Sequence, residues 1–223
     1  MSQGIWTAVD QYISDTLVPA DPALEAALLA SNKAGLPAIN VAPNQGKLLH
    51  LLARLRQARR ILEVGTLGGY STIWLARALP ADGRLVTLEL DSRYADVARA
   101  NFARAGLTDR IDLHVGLATV GLARLVSNRC EPFDLVFIDA DKAGTADYFA
   151  SALKLSCRGT VIIVDNVVRN GAVIDSASTD ASVIGIRRFN EAVAAEPRVT
   201  ATAIQTVGVK GYDGFALLLV TAD

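Results

Sequence analysis

The feature that most constrains this chain is a repeated alternation in its middle and C-terminal parts. Short apolar runs rich in Val, Ile and Leu are separated by amphipathic stretches long enough to form helices. The runs are Arg60 to Gly65, Leu85 to Leu90, Ile111 to Val115, Phe133 to Ile138 and Thr160 to Val164. Such alternation is the rhythm of βαβ units, and near-continuous β-branched runs suit strands covered on both faces. Two further runs, Val199 to Val207 and Phe215 to Thr221, are separated by a Gly-Val-Lys-Gly-Tyr-Asp-Gly segment (208–214). That pattern predicts an antiparallel hairpin closing the sheet. The expected fold class is therefore α/β, a doubly wound and mostly parallel seven-stranded sheet with an antiparallel C-terminal hairpin.

Residues 1–56 read differently. Trp6, Val9, Ile13 and Leu17 recur at helical spacing before Pro19. Asp21-Pro22 has the form of an N-cap and first-turn pair for a second helix. Pro43 opens a third, which carries Leu48, Leu49, Leu51, Leu52 and Leu55. The chain of 223 residues is expected to form one domain, with N-terminal helices over 1–56 and an α/β core over 57–223.

Charge excludes some functions. Lys and Arg number 22 against 23 Asp and Glu, so there is no electrostatic reason to expect nucleic acid or an anionic membrane as partner. Two cysteines, Cys130 and Cys157, make neither a disulfide framework nor a C-x-x-C site. The expected location is cytoplasmic, since no signal-peptide pattern or bilayer-length apolar run is seen.

Chemistry concentrates where the strands end. The first reads Glu63-Val-Gly65-Thr66-Leu-Gly68-Gly69-Tyr70-Ser71. Glycines at a strand-to-helix turn let the backbone approach a ligand beside a helix N-terminus, although a tight turn alone would also need them. The dinucleotide pattern G-x-G-x-x-G and the P-loop pattern are both absent. Glu63 is a carboxylate in a buried strand; a cationic ligand or a backbone network would satisfy it. Glu89, at the end of the second strand, stands where nucleotide-binding α/β folds hold ribose hydroxyls, while Asp91 suits a helix cap.

The fourth run ends Asp139-Ala-Asp141-Lys142 and the fifth Asp165-Asn166. If those strands are neighbours, Asp139, Asp165 and the Asn166 amide oxygen can converge on one hard cation such as Mg2+, Ca2+ or Mn2+. Taken singly, each also fits an ordinary turn or N-cap residue. Lys142 follows Asp139 by three residues and can face the same space.

In combination, Leu62-Glu-Val-Gly-Thr-Leu-Gly-Gly-Tyr-Ser71, Phe137-Ile-Asp-Ala-Asp-Lys142 and Asp165-Asn166-Val167 followed by Gly171 resemble the cation-dependent O-methyltransferases, the group of caffeoyl-CoA and catechol O-methyltransferases. The resemblance runs from about residue 36 to the C-terminus. It implies an enzyme that moves the methyl group of S-adenosylmethionine onto a hydroxyl of a small vicinal-dihydroxy aromatic. It implies Val41, Glu63, Gly65, Thr66, Tyr70, Ser71, Glu89, Ala118 and Asp139 at the cofactor, Asp139, Asp165 and Asn166 at a divalent cation, and Lys142 as the catalytic residue. The apolar surface of the N-terminal helices separately suggests a homodimer, although a helix packed on its own sheet would look the same. The chain departs from the family pattern at Leu117, in Val-Val-Arg-Asn-Gly171, which lacks a tryptophan, and in Gly211-Tyr-Asp-Gly214. The last two regions border the acceptor in this family. Ile39, Trp6 and Tyr212 are candidates for a lid. The competing readings are a methyltransferase of another acceptor and a non-catalytic nucleotide-binding domain. DNA methyltransferase motifs are absent, because no paired prolines follow strand four and no proline precedes either cysteine.

Overall fold

The computed structural model describes residues 2–222. Its seven strands are β1 (Arg60–Val64), β2 (Arg84–Glu89), β3 (Ile111–Val115), β4 (Leu135–Ile138), β5 (Val161–Asp165), β6 (Val199–Gly208) and β7 (Gly211–Val220). They form one sheet in the order β3-β2-β1-β4-β5-β7-β6. The first five are parallel and β7 runs antiparallel to both β5 and β6. The expected doubly wound sheet and closing hairpin are both present. The chain winds outward from β1 in one direction to β3, then returns to β4 on the other side. That reversal opens a crevice beyond the carboxyl ends of β1 and β4, where ligands bind in sheets of this kind.

Side-chain alternation divides the strands between two cores. Leu62, Val64, Val136 and Ile138 point into one, with Phe149 of α7 (Thr145–Lys154) and Ile186 and Phe189 of α8 (Ala181–Ala195). Leu122 of α6 (Ala118–Ser127) joins them. Ile61, Leu135, Phe137 and Ile163 point the other way. There they meet α2 (Pro22–Lys33), α3 (Pro43–Leu55), α4 (Tyr70–Ala76) and α5 (Ser92–Arg104), through Leu24, Leu49, Ile73 and Phe102.

The N-terminal helices begin where their prolines indicate. Asp21 caps α2, accepting from the backbone N–H groups of Ala23 and Leu24 at 3.0 and 3.1 Å. It also pairs with Arg77, at the end of α4, which ties the helical layer together. Helix α1 (Gln3–Leu17) is unlike the others, because none of its residues is buried. Its ties to the body are polar: Gln3 donates to the Gly208 carbonyl at 2.8 Å, and Asp10 accepts from the Val209 N–H at 2.7 Å.

The hairpin differs from expectation at its tip. Residues 208–214 read as a loop because they hold three glycines, but the ladder runs through them. Gly208 pairs with Gly211, Val207 with Tyr212 and Thr206 with Asp213, leaving Val209-Lys210 as a two-residue turn. Gly211, with φ of 93°, serves the turn, whereas Gly214 serves close approach: a Cβ there would run into the Ile204 carbonyl of the neighbouring strand. Among the described residues, no helix is long and apolar enough to cross a membrane.

Replacing Asp21 by Ala removes a cap and an inter-helix ion pair together. Urea titration is expected to show a loss of about 1–2 kcal/mol in unfolding free energy, the upper part of the range for a lost N-cap.

Candidate active site

Register decides which residues meet. Val64 lies beside Leu88 and Ile138, and Ile138 beside Val164. The residues one step further along, Gly65, Glu89, Asp139 and Asp165, therefore share the carboxyl edge of the sheet. β4 and β5 are adjacent, which is the condition under which Asp139 and Asp165 come together. Gly65 has φ of 100°, and a Cβ there would run into the Asp139 carbonyl. Only glycine lets the β1 loop turn this close to the end of β4.

A cavity of about 460 Å3 opens along this edge, lined by Val41, Gly65, Thr66, Tyr70, Ser71, Glu89, Ala118, Asp139, Lys142 and Asn166. The residues implied for the cofactor are thus gathered around one space, with a single exception. Glu63 lies beneath the cavity wall. It is fully buried, and its carboxylate accepts from Ser71 Oγ at 2.7 Å, Thr87 Oγ1 at 2.8 Å and Thr72 Oγ1. A hydroxyl network within the fold satisfies it, and its route to the cavity is through Ser71. Burial pushes the Glu63 carboxyl up to about 7 despite these hydrogen bonds, and the charge of Asp139 adds to the rise.

Glu89 does line the cavity. One of its oxygens accepts from the backbone N–H groups of Thr66 and Leu67, at 3.2 and 2.7 Å, and the other from Asp91 at 2.9 Å. It therefore shapes the β1 loop as well as facing the cavity. Asp91 caps α5 by accepting from the Arg93 N–H at 2.8 Å, so each of the two acids has its own task.

At the other end of the cavity lie Asp139, Asn166 and Lys142, while Asp165 lines an adjoining smaller cavity instead. Lys142 Nζ donates to Asp139 Oδ1 at 2.7 Å, and the lysine is 9% exposed. Its backbone is pressed from behind by α8, where a Cβ on Gly185 would run into the Lys142 carbonyl. Asp165 is 5% exposed, and its carboxyl is pushed well above the usual range by burial and then by the charge of Asp139. Lys142, the Asn166 N–H and Gln45 oppose that rise. Asn166 adopts φ of 58° and opens onto two spaces: the large cavity, and a smaller one of about 260 Å3 that also reaches Asp165.

Among the described residues, no three His, Cys, Asp or Glu side chains are grouped to hold a metal. The candidate set is two carboxylates and an amide oxygen. Those donors fit a hard cation, and two carboxylates opposed by one ammonium leave the pocket short of positive charge.

Some lining residues were not individually named from the sequence, although Arg169 and Asp141 lie in segments it marks. Arg169, Tyr94, Tyr148 and Asp141 all border the large cavity. Arg169 stands in a loop where Asn166, Arg169 and Asn170 all have positive φ. Asp213 holds that loop, accepting from the N–H groups of Val168 and Arg169, each at 3.0 Å. Of the lid candidates, Ile39 borders the cavity; Trp6 and Tyr212 are not part of its lining.

Glu63 yields a pH prediction. Its folded-state pKa is raised, so its burial weakens the fold as pH climbs from the ordinary carboxylate range towards 7, and the loss levels off above. Glu63→Gln stays neutral throughout. Its stability relative to wild type, from urea titrations at pH 5 and pH 8, is expected to improve by up to about 3 kcal/mol at the higher pH. A pH-independent difference would contradict the assignment.

Comparison with known proteins agrees with this geometry. An O-methyltransferase family model matches residues 17–219. A catechol O-methyltransferase of Niastella koreensis is 54% identical over 220 residues, covering 99% of this chain and 100% of the relative. The O-methyltransferase of Bacillus cereus, solved in complex with SAH, superposes with a TM-score of 0.97 at 57% identity, covering 99% of this chain and all of that one. TomG of Streptomyces achromogenes, an O-methyltransferase of tomaymycin synthesis solved with SAM, does so with a TM-score of 0.96 at 55% identity over the full length of both. Fold, cavity and relatives agree: the chain belongs to the O-methyltransferase family.

Proposed function

We propose that the chain transfers a methyl group from S-adenosylmethionine to one hydroxyl of a small vicinal-dihydroxy aromatic, with a divalent cation held by Asp139, Asp165 and Asn166. The observation that carries this reading is the half-buried Asp139 paired with Lys142 at one end of a cavity that Glu89 and the β1 loop border further along, with buried Asp165 on the neighbouring strand opening onto the adjoining smaller cavity that Asn166 shares. The catechol O-methyltransferase name of a relative at 54% identity supports the same acceptor class. A bound cation would supply positive charge that favours ionisation of the acceptor hydroxyl.

The chain's own groups do the rest. Glu89 faces the cavity with a carboxylate fitted to accept from ribose hydroxyls. Val41, Tyr70 and Ala118 supply apolar wall that excludes water from the cofactor. Asp139 keeps Lys142 pointed at the reacting end, where its amine either takes the hydroxyl proton or, charged, donates to the oxygen. The oxygen then forms a bond to the methyl carbon as the carbon–sulfur bond breaks. Holding both partners in line removes much of the entropic cost of their meeting.

We propose in addition that the chain forms a homodimer. Ile5, Val9, Tyr12 and Leu17 of α1 are exposed, and β6 is a ten-residue edge strand with eight consecutive exposed residues. An open edge of that length invites a partner.

Methyl transfer to 3,4-dihydroxybenzoate is expected in Mg2+, abolished by EDTA and restored by excess Mg2+. Turnover unaffected by EDTA would refute the cation. Lys142→Met is expected to retain SAH binding while kcat falls by about a hundred- to ten-thousandfold, the span for a lost proton-transfer group.

A further inference from the structure

Asp165 has a partner that lies far from it in the sequence. Gln45, in the first turn of α3, donates from Nε2 to Asp165 Oδ2 at 2.6 Å. The other carboxylate oxygen, Oδ1, accepts from the Asn166 backbone N–H at 2.9 Å. With one donor on each oxygen, rotation of the carboxylate about its bond to Cβ is stopped. Each oxygen still keeps a free lone pair. We propose that Gln45 is a positioning residue that fixes the Asp165 carboxylate for cation binding; this rests on the cation reading above.

The position of Gln45 is itself determined. Its backbone N–H donates to Asn44 Oδ1 at 2.9 Å, and Asn44 Nδ2 donates to Asp10 Oδ1 at 2.8 Å. Asp10 accepts through its second oxygen from Val209 in the β6–β7 turn. The start of α3 is thus held between α1 and the hairpin, and the amide of Gln45 is delivered to Asp165 from a braced frame. Gln45 borders the smaller cavity and is not part of the lining of the larger one. Its loss therefore separates cation binding from cofactor binding. Groups that orient a metal ligand in this way cost about 10- to 100-fold in metal affinity when removed.

The test uses the full chain, with Mn2+ as the spectroscopic probe. Free Mn2+ is measured by electron paramagnetic resonance in the presence of saturating SAH, and SAH affinity is measured separately. Gln45→Leu cannot donate, and Gln45→Asn keeps the amide but is one methylene too short. Both are expected to weaken Mn2+ binding about tenfold or more while SAH affinity stays within about twofold of wild type. If Gln45→Leu does not fold, Gln45→Asn decides the matter. Unchanged Mn2+ affinity in a variant that binds SAH would overturn the proposal. So would a parallel loss of both ligands, which would make Gln45 a residue of the fold alone. A wild-type chain that binds SAH but no Mn2+ would overturn the cation reading itself.

Discussion

Parallel strands bring their carboxyl ends to one edge, and in this chain that edge is acidic. Glu89, Asp139 and Asp165 lie at or just beyond the ends of three strands and Glu63 one residue before the end of β1, and the register leaves them no freedom to separate. Much of the surrounding structure offsets that concentration of negative charge. Three hydroxyls surround Glu63, three backbone N–H groups satisfy Glu89, and Lys142 pairs with Asp139. Asp165 is the least compensated. Its carboxyl is pushed up by burial first and then by the neighbouring charge of Asp139. The same imbalance that would be a liability in an inert domain is what a cation site requires.

The two ends of the chain both contribute to the site. The N-terminal segment contributes Val41 to the cavity wall and Gln45 to Asp165. The C-terminal hairpin contributes Asp213, whose carboxylate holds the strained loop after Asn166. Non-glycine residues at positive φ persist only where their surroundings over-determine them. Here the constraint comes from a strand that enters the sheet last and antiparallel. That arrangement explains why α1, with no buried residue, still matters: Asp10 joins the hairpin turn to the start of α3.

Much of this was legible in the sequence, for identifiable reasons. β-branched runs covered on both faces announce parallel strands, and an acidic residue at the end of such a run stands out because burial there is costly. Glu89, Asp139 and Asp165 could be named on that basis, and Lys142 from its spacing to Asp139 and the family resemblance. What single-sequence reasoning lacks is contact between distant residues. Gln45 and Asp165 are 120 positions apart, and nothing in a Pro-Asn-Gln-Gly segment marks its glutamine. Arg169 falls in a segment that the resemblance puts beside the acceptor, but only the fold shows that its side chain lines the cavity. The hairpin tip misled for the opposite reason: glycine signals turns, but Gly214 is in the ladder because a neighbouring carbonyl leaves no room for a Cβ. Glu63 is open between a ligand and an internal network in the sequence, and only the fold shows Ser71, Thr72 and Thr87 placed around it.

The central claim is that this acidic edge binds the two oxygens of a vicinal diol through a cation and favours their ionisation. 4-Nitrocatechol reports that state directly, since its visible absorption moves to longer wavelength when its hydroxyls ionise. Titrated into the protein with SAH and Mg2+ at a pH below its own ionisation, it is expected to show the spectrum of the ionised form, and to lose it on addition of EDTA. An un-ionised spectrum for the bound compound, or an ionised spectrum that persists in EDTA, would contradict the account.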